Sequence, residues 1–179
     1  MTLLGLLDGA HCHVQVDIGF GDAVVPGPES AVYPVLLREM PAPRLRVYPR
    51  YTVVAEKLHA MTDRGMLNSR LKDYFDLWVL ALRTEFEGAV LSQAIRATFD
   101  RRGARVPERL PIGLTSEFAR DEQKNTQWTA FLRKNALEQV TLESVIATLA
   151  AFLLPVLTSL GQGVEHQRRW QAGSGWSEH

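Results

Sequence analysis

Arg70, Lys72, Asp73 and Asp76 lie close together in a stretch where Tyr74, Phe75, Leu77, Trp78, Val79, Leu80 and Leu82 fill nearly every angular sector of a helix. A helix buried on most sides carries charge only where the charge is paired or meets a ligand. Arg70 and Asp73 are one helical step apart, as are Asp73 and Asp76, and Lys72 reaches Asp76 at the i, i+4 spacing. The preceding helical pattern carries Glu56, Lys57, His59 and Arg64 among apolar residues. Lys57 is a point charge on a long stem that could reach a phosphate, and equally a partner for Asp73 or Asp76. Spacing alone leaves two readings open: a structural ion-pair lock, the commoner use of such charges, or an acid-and-phosphate site.

Asp17 is the other candidate. Residues 13–20, HVQVDIGF, alternate strictly, with Val14, Val16, Ile18 and Phe20 on one face and His13, Gln15, Asp17 and Gly19 on the other. A carboxylate fixed by such a strand suits a metal, whereas the plain alternative is a solvent-facing acid. His11, Cys12 and His13 have a soft-metal composition, but no CxxC or HxxxH accompanies them, so zinc is not expected. Arg96, Arg101, Arg102, Arg105 and Arg109 form a basic run, either a solvated face or a nucleic-acid contact. No P-loop, dinucleotide fingerprint or nucleophile elbow is present.

The elements that must hold these residues follow from the pattern. Two strands are expected, residues 13–20 and 44–48, with a short helix from Ser30 toward Glu39 between them. Thr52 is expected to cap a helix over 53–63, and Asn68 or Ser69 the next one. Further helices are expected over 87–101, 115–119 and 125–134, with Thr141 capping a long last helix that Pro155 should kink or divide. Residues 161–179 read as a loosely held tail that could dock through Trp170 and Trp176. Three regions result: a partial sheet region at 1–51, a helical domain at 52–160 and the tail at 161–179.

The 179 residues suffice for one main body, and 20 basic against 20 acidic residues give no overall field that would favour nucleic acid or an acidic membrane. One cysteine excludes an internal disulfide framework and fits a reducing cytoplasm. The apolar start lacks a basic flank and reads as no signal peptide. Residues 145–160 are uncharged but short for a membrane span, so a buried core helix is expected, with no membrane partner.

The motifs VQVDIGFGD (14–22), YPVLL (33–37), VYPRYTVVAEKLHAM (47–61) and NSRLKDYFDLW (68–78) occur in this order, followed by ATFDRRG (97–103) and WTAFL (128–132). In this combination the chain resembles the nucleotidyltransferase AbiEii/AbiGii toxin family. The resemblance implies an α+β fold: a remnant of a polymerase-beta-like nucleotidyltransferase sheet, about two strands here, followed by a mostly α-helical C-terminal region. It implies transfer of a nucleoside monophosphate from an NTP, with Mg²⁺, to tRNA or another RNA acceptor, and a cognate antitoxin as partner. Asp17 matches the family's strand carboxylate and would be a catalytic and metal residue. Lys57 matches the lysine at the nucleotide phosphates. Arg70, Lys72, Asp73 and Asp76 match an RxKDxxD segment, with Asp73 and Asp76 as the catalytic acids and Arg70 and Lys72 as phosphate contacts.

The family's Gly-Ser turn and DxD pair do not occur, and Tyr51 stands where an acid is frequent. Those carboxylates hold the metals and triphosphate, so the expectation is a truncated toxin, catalytically incomplete by itself. A two-stranded remnant would also expose an edge and an apolar face, which favours self-association. The alternative function is a non-catalytic helical module that binds RNA or the antitoxin.

Overall fold

Asp8 and Gly9 both take positive φ, 47° and 82°, the geometry that a two-residue hairpin turn demands. In the computed structural model, which describes residues 1–35 and 37–178, they join β1 (Thr2–Leu7) to β2 (Ala10–Gln15) in register from Leu7↔Ala10 to Thr2↔Gln15. The expected strand over 13–20 is therefore corrected: β2 starts earlier and ends at Gln15. Its one neighbour, β1, offers no ladder partner past Thr2, apart from the Met1–Val16 backbone pair, so Asp17 lies beyond the strand and is not aimed by it.

β3 (Glu29–Val32) pairs antiparallel with β4 (Arg44–Val47). The short helix expected from Ser30 is overturned, because backbone groups of residues 29–32 spend their hydrogen bonds on β4. Leu36, within that expected helix and within the YPVLL motif, lies outside the described residues. The strands expected near the start thus form two separate two-stranded sheets rather than one remnant pair. No described residue before Pro49 is buried.

The mixed α+β class is as expected, and six helices lie among the described residues. α1 (Arg50–Arg64) buries Tyr51, Val54, Ala55, Leu58 and Met61. α2 (Leu71–Arg83) buries Leu71, Tyr74, Leu77, Trp78 and Ala81. α3 (Gly88–Arg101) packs on α1, and α4 (Ser116–Arg120) and α5 (Glu122–Lys134) complete one side. α6 (Leu142–Gly161) runs through the middle and packs against α2, α3 and α4. It is the one described helix long and apolar enough to cross a membrane. Here its Leu142, Val145, Leu149, Phe152, Leu153, Val156 and Leu157 fill the core.

Thr141 caps α6 as expected, its side chain accepting from the Ser144 amide at 3.1 Å. α6 continues through Pro155 as a single helix, so Pro155 does not divide it. Thr52 does not cap α1, which already starts at Arg50. Its hydroxyl instead exchanges hydrogen bonds with both Val25 backbone groups, each at 3.0 Å, and ties the loop before β3 to the helix. Neither Asn68 nor Ser69 caps α2, whose N-cap is Arg70 with no side-chain cap; Asn68 Oδ1 instead accepts from the Arg70 amide at 2.9 Å within the turn before the helix.

The tail is not loosely held. β6 (Arg169–Gln171) joins β5 (Phe86–Glu87), and β7 (Gly175–Ser177) pairs with β6. Trp170 is buried and donates to the Ala81 carbonyl at 2.7 Å, and Trp176 donates to the Phe152 carbonyl at 3.0 Å. The two rings anchor the segment because each brings apolar area and satisfies a helical carbonyl at once. His179 lies outside the described residues.

Candidate functional site

Alternation of buried residues on α1 leaves Val53, Glu56, Lys57, Ala60 and Arg64 along one face, and that face forms a wall of a cleft of about 570 Å³. Arg70 and Asp73, from the start of α2, form another part of it. Lys57 lies between two acids of α2: its Nζ is 2.5 Å from Asp73 Oδ1 and 2.9 Å from Asp76 Oδ2. Lys72 closes the set with an i, i+4 pair to Asp76 at 2.5 Å. The Lys57 and Asp73 side chains are only 17% and 18% exposed, so the pair is far better shielded than a surface bridge.

Burial works against the charge of Lys57, but the bonds to Asp73 and Asp76 outweigh it and raise its pKa above the ordinary lysine value. Burial likewise opposes ionisation of Asp76, yet the hydrogen bonds from Lys72 and Lys57 prevail and hold it below the ordinary carboxylate value. Lys57 and Asp76 are therefore both charged at neutral pH. An ammonium has three donors, and two of those on Lys57 are spent on the carboxylates. One donor remains for a ligand in the cleft.

The far side of the cleft is a network that the sequence reading did not anticipate. Arg102, at the end of α3, bridges Glu56 at 2.9 Å and Asp22 at 3.2 Å, and Tyr48 donates to Asp22 at 3.1 Å. Asp22 accepts from the Tyr48 phenol, and together with its charge this raises the phenol's pKa. Arg101 donates from Nε to the Gly21 carbonyl. Two consecutive arginines thus hold residues 21–22 at the cleft mouth, where Gly21 has a φ of 84°. Arg101 and Arg102 belong to the basic run seen in sequence, and Asp22 ends the VQVDIGFGD motif, so position was the missing information rather than residue type.

Lys124 also escaped the sequence reading. It is 6% exposed, donates to the Asn68 carbonyl at 2.9 Å, and lies 5.4 Å from the centroid of the Phe118 ring. It fixes the turn that launches α2, and so positions Asp73 at one remove. A lysine beside polar residues at the start of a helix looks solvent-facing in sequence, which is why nothing marked it.

Of the residues singled out from sequence, Lys57, Lys72, Asp73 and Asp76 come together as one ion-paired group. Arg70 lines the same cleft without joining a described ion pair. Asp17 is exposed, accepts from Gln15 Nε2 at 3.0 and 3.1 Å, and is not among the cleft-lining residues. Among the described residues, no three His, Cys, Asp or Glu side chains converge in a way that could hold a metal ion.

The family model for the nucleotidyl transferase AbiEii toxin of the type IV toxin–antitoxin system matches residues 2–151. No curated protein and no solved structure gives a significant match.

Proposed function

Because the chain belongs to the nucleotidyl transferase AbiEii toxin family of type IV toxin–antitoxin systems, we propose that the cleft beside Lys57 receives the phosphates of an NTP whose nucleoside monophosphate is destined for an RNA acceptor, tRNA included. The observation that carries this reading is the third, uncommitted donor of Lys57, flanked in the cleft by Arg64 and Arg70. Arginine forks and an ammonium together suit a polyphosphate. Asp73 and Asp76 keep Lys57 protonated and in place, and Lys72 shares that work through Asp76. Asp22, rather than Asp17, is the acid of the first motif at the cleft.

The resemblance implies Mg²⁺, but the residues present do not make a site for it: Asp73 and Asp76 already hold Lys57, and no third ligand converges with them among the described residues. Mg²⁺ is ordinarily held by one or two carboxylates plus substrate phosphates, so in this reading the ion would arrive with the bound triphosphate. In this reading the described residues bind and orient the NTP. A non-catalytic module that binds RNA or the antitoxin is the second reading, favoured by the same carboxylate arrangement. Exposure of Leu3, Leu7 and Val14 on one face of the β1–β2 hairpin supports self-association of the chain or cover by the antitoxin. A lone exposed cysteine, Cys12, fits a cytoplasmic setting.

The test pairs two measurements on the whole chain. Calorimetric titration with Mg²⁺·NTP should show binding that Lys57→Met abolishes, while radiolabelled NTP incubated with total tRNA should show no transfer. NTP binding indifferent to Lys57 would overturn the phosphate site, and Lys57-dependent transfer would overturn the claim of incompleteness.

A further inference from the structure

Arg70 and Asp73 line not one hollow but two. They also border a groove of about 760 Å³ between the start of α2 and the last turns of α5. Its cations are Arg70, Lys72 and Lys134, and its single acid is Asp73. Lys134 is exposed and joins no described ion pair. Phe131 lies on the floor, half-buried, backed by Phe75 and Trp128 at centroid distances of 6.1 and 5.6 Å. Gln127 lines the wall, and its Oε1 is shielded from solvent without any hydrogen-bond partner.

We propose that this groove holds a single-stranded segment of the RNA acceptor, with its phosphates on Lys134, Lys72 and Arg70 and a base against Phe131. A supported aromatic ring at the floor of a cationic groove is the arrangement by which single strands are held irrespective of sequence. An acidic peptide would use the cations but leave the ring unused. The position adds a functional argument: Asp73 and Arg70 are shared by both hollows, so a strand lying in the groove ends beside the cleft that receives the phosphates. The inference rests on the reading above only for which cleft takes the NTP.

Fluorescence anisotropy of the whole chain with a short, labelled, unstructured single-stranded RNA tests it. Log affinity should fall with log salt at a slope of about −2 for three phosphate contacts, and Lys134→Ala should reduce that slope by about 0.7. Phe131→Leu should weaken RNA binding roughly tenfold. Lys134→Ala lies on an exposed helix end and keeps the test valid if the ring variant fails to fold. Calorimetric binding of Mg²⁺·NTP should be unchanged in Lys134→Ala. The groove assignment is overturned if the wild type does not bind the RNA, if Lys134→Ala binds it unchanged, if that variant loses NTP as well, or if polyglutamate of equal charge binds equally tightly. RNA binding through Lys134 with no NTP binding at Lys57 would uphold the groove and defeat the phosphate-site reading alone.

Discussion

Lys57 Nζ lies 2.5 Å from Asp73 Oδ1, and the two residues come from different helices separated by a turn. The bond therefore measures how α1 and α2 sit against each other. Lys57→Met should cost about 1–3 kcal/mol of unfolding free energy, between the values for surface and buried pairs, because Asp73 and Asp76 lose their shared partner. Chemical denaturation checks this. The double variant Lys57→Met with Asp73→Asn should lose less than the sum of the single losses, since the two changes remove one interaction.

Stability should vary with pH through the same group. The Asp76 carboxyl is depressed below its ordinary value, 3.8, so its contribution is fully present above that pH and fades as pH falls through the lower folded value. Lys57 is raised above 10.5, so its contribution holds below 10.5 and is lost as pH rises through the folded value. Urea midpoints of the wild type and Asp76→Asn should differ at neutral pH and converge in acid. A gap that stays constant through acid would show the pairing to be of no consequence.

The segment between α6 and β6 carries its own titration. His166 is buried, with Nδ1 3.1 Å from Ser159 Oγ and its ring edge-on to Trp176 at 4.4 Å. Burial, and then the charge of Arg168, push its pKa below 6.5. Its stabilising contribution is thus present above 6.5 and is lost as pH falls through the lower folded value. Tryptophan emission should change in that acid range, and His166→Gln should remove the change.

Gly88 tolerates no side chain. A Cβ there would lie 2.6 Å from the Arg168 carbonyl and 2.8 Å from His166 Cδ2, the first of which is backbone that cannot swing away. Gly88→Ala should destabilise by about 2 kcal/mol or more, by overpacking rather than by backbone conformation. Thermal unfolding read at the tryptophans should drop, while the far smaller disturbance of Gly103→Ala, where no atom lies within 4 Å, should be confined to its φ of 63°.

Lys124→Met keeps the aliphatic stem and removes the bond to the Asn68 carbonyl. The orphaned carbonyl should cost about 1–3 kcal/mol. If the turn positions Asp73 as described, NTP affinity at the cleft should fall together with stability, whereas an equally destabilising core change such as Ile95→Ala should leave affinity intact.

Helical periodicity made α1, α2, α3 and α6 legible because each presents a buried stripe, and the i, i+4 spacing gave the pairing of Lys72 with Asp76, whereas the pairing of Lys57 with Asp73 and Asp76 was one of two readings left open. Strand ends were misread where the ladder, not the alternation, decides them: residues 16–20 alternate perfectly but have only Met1 to pair with. The Asp8-Gly9 turn signal was present and outweighs that alternation. Trp170 and Trp176 stood out in the polar tail as its docking rings, but the carbonyls they find on α2 and α6, and the strand pairing that holds the segment, lie far off in sequence. The opposite wall of the cleft, where Arg102 meets Asp22 and Glu56, depends on contacts across many residues that no local pattern encodes.

None of the described residues among the first 48 is buried, yet they reach the cleft through Asp22 and Tyr48, with Gly21 held beside it by Arg101. Thermodynamic linkage gives that tie two directions. A partner that covers the exposed strands and shifts the Gly21–Asp22 corner alters ligand affinity in the cleft, and a ligand that reorganises Arg102 alters the partner's affinity by the same factor. The strands are thus the place where an inhibitor could act on the cleft without entering it.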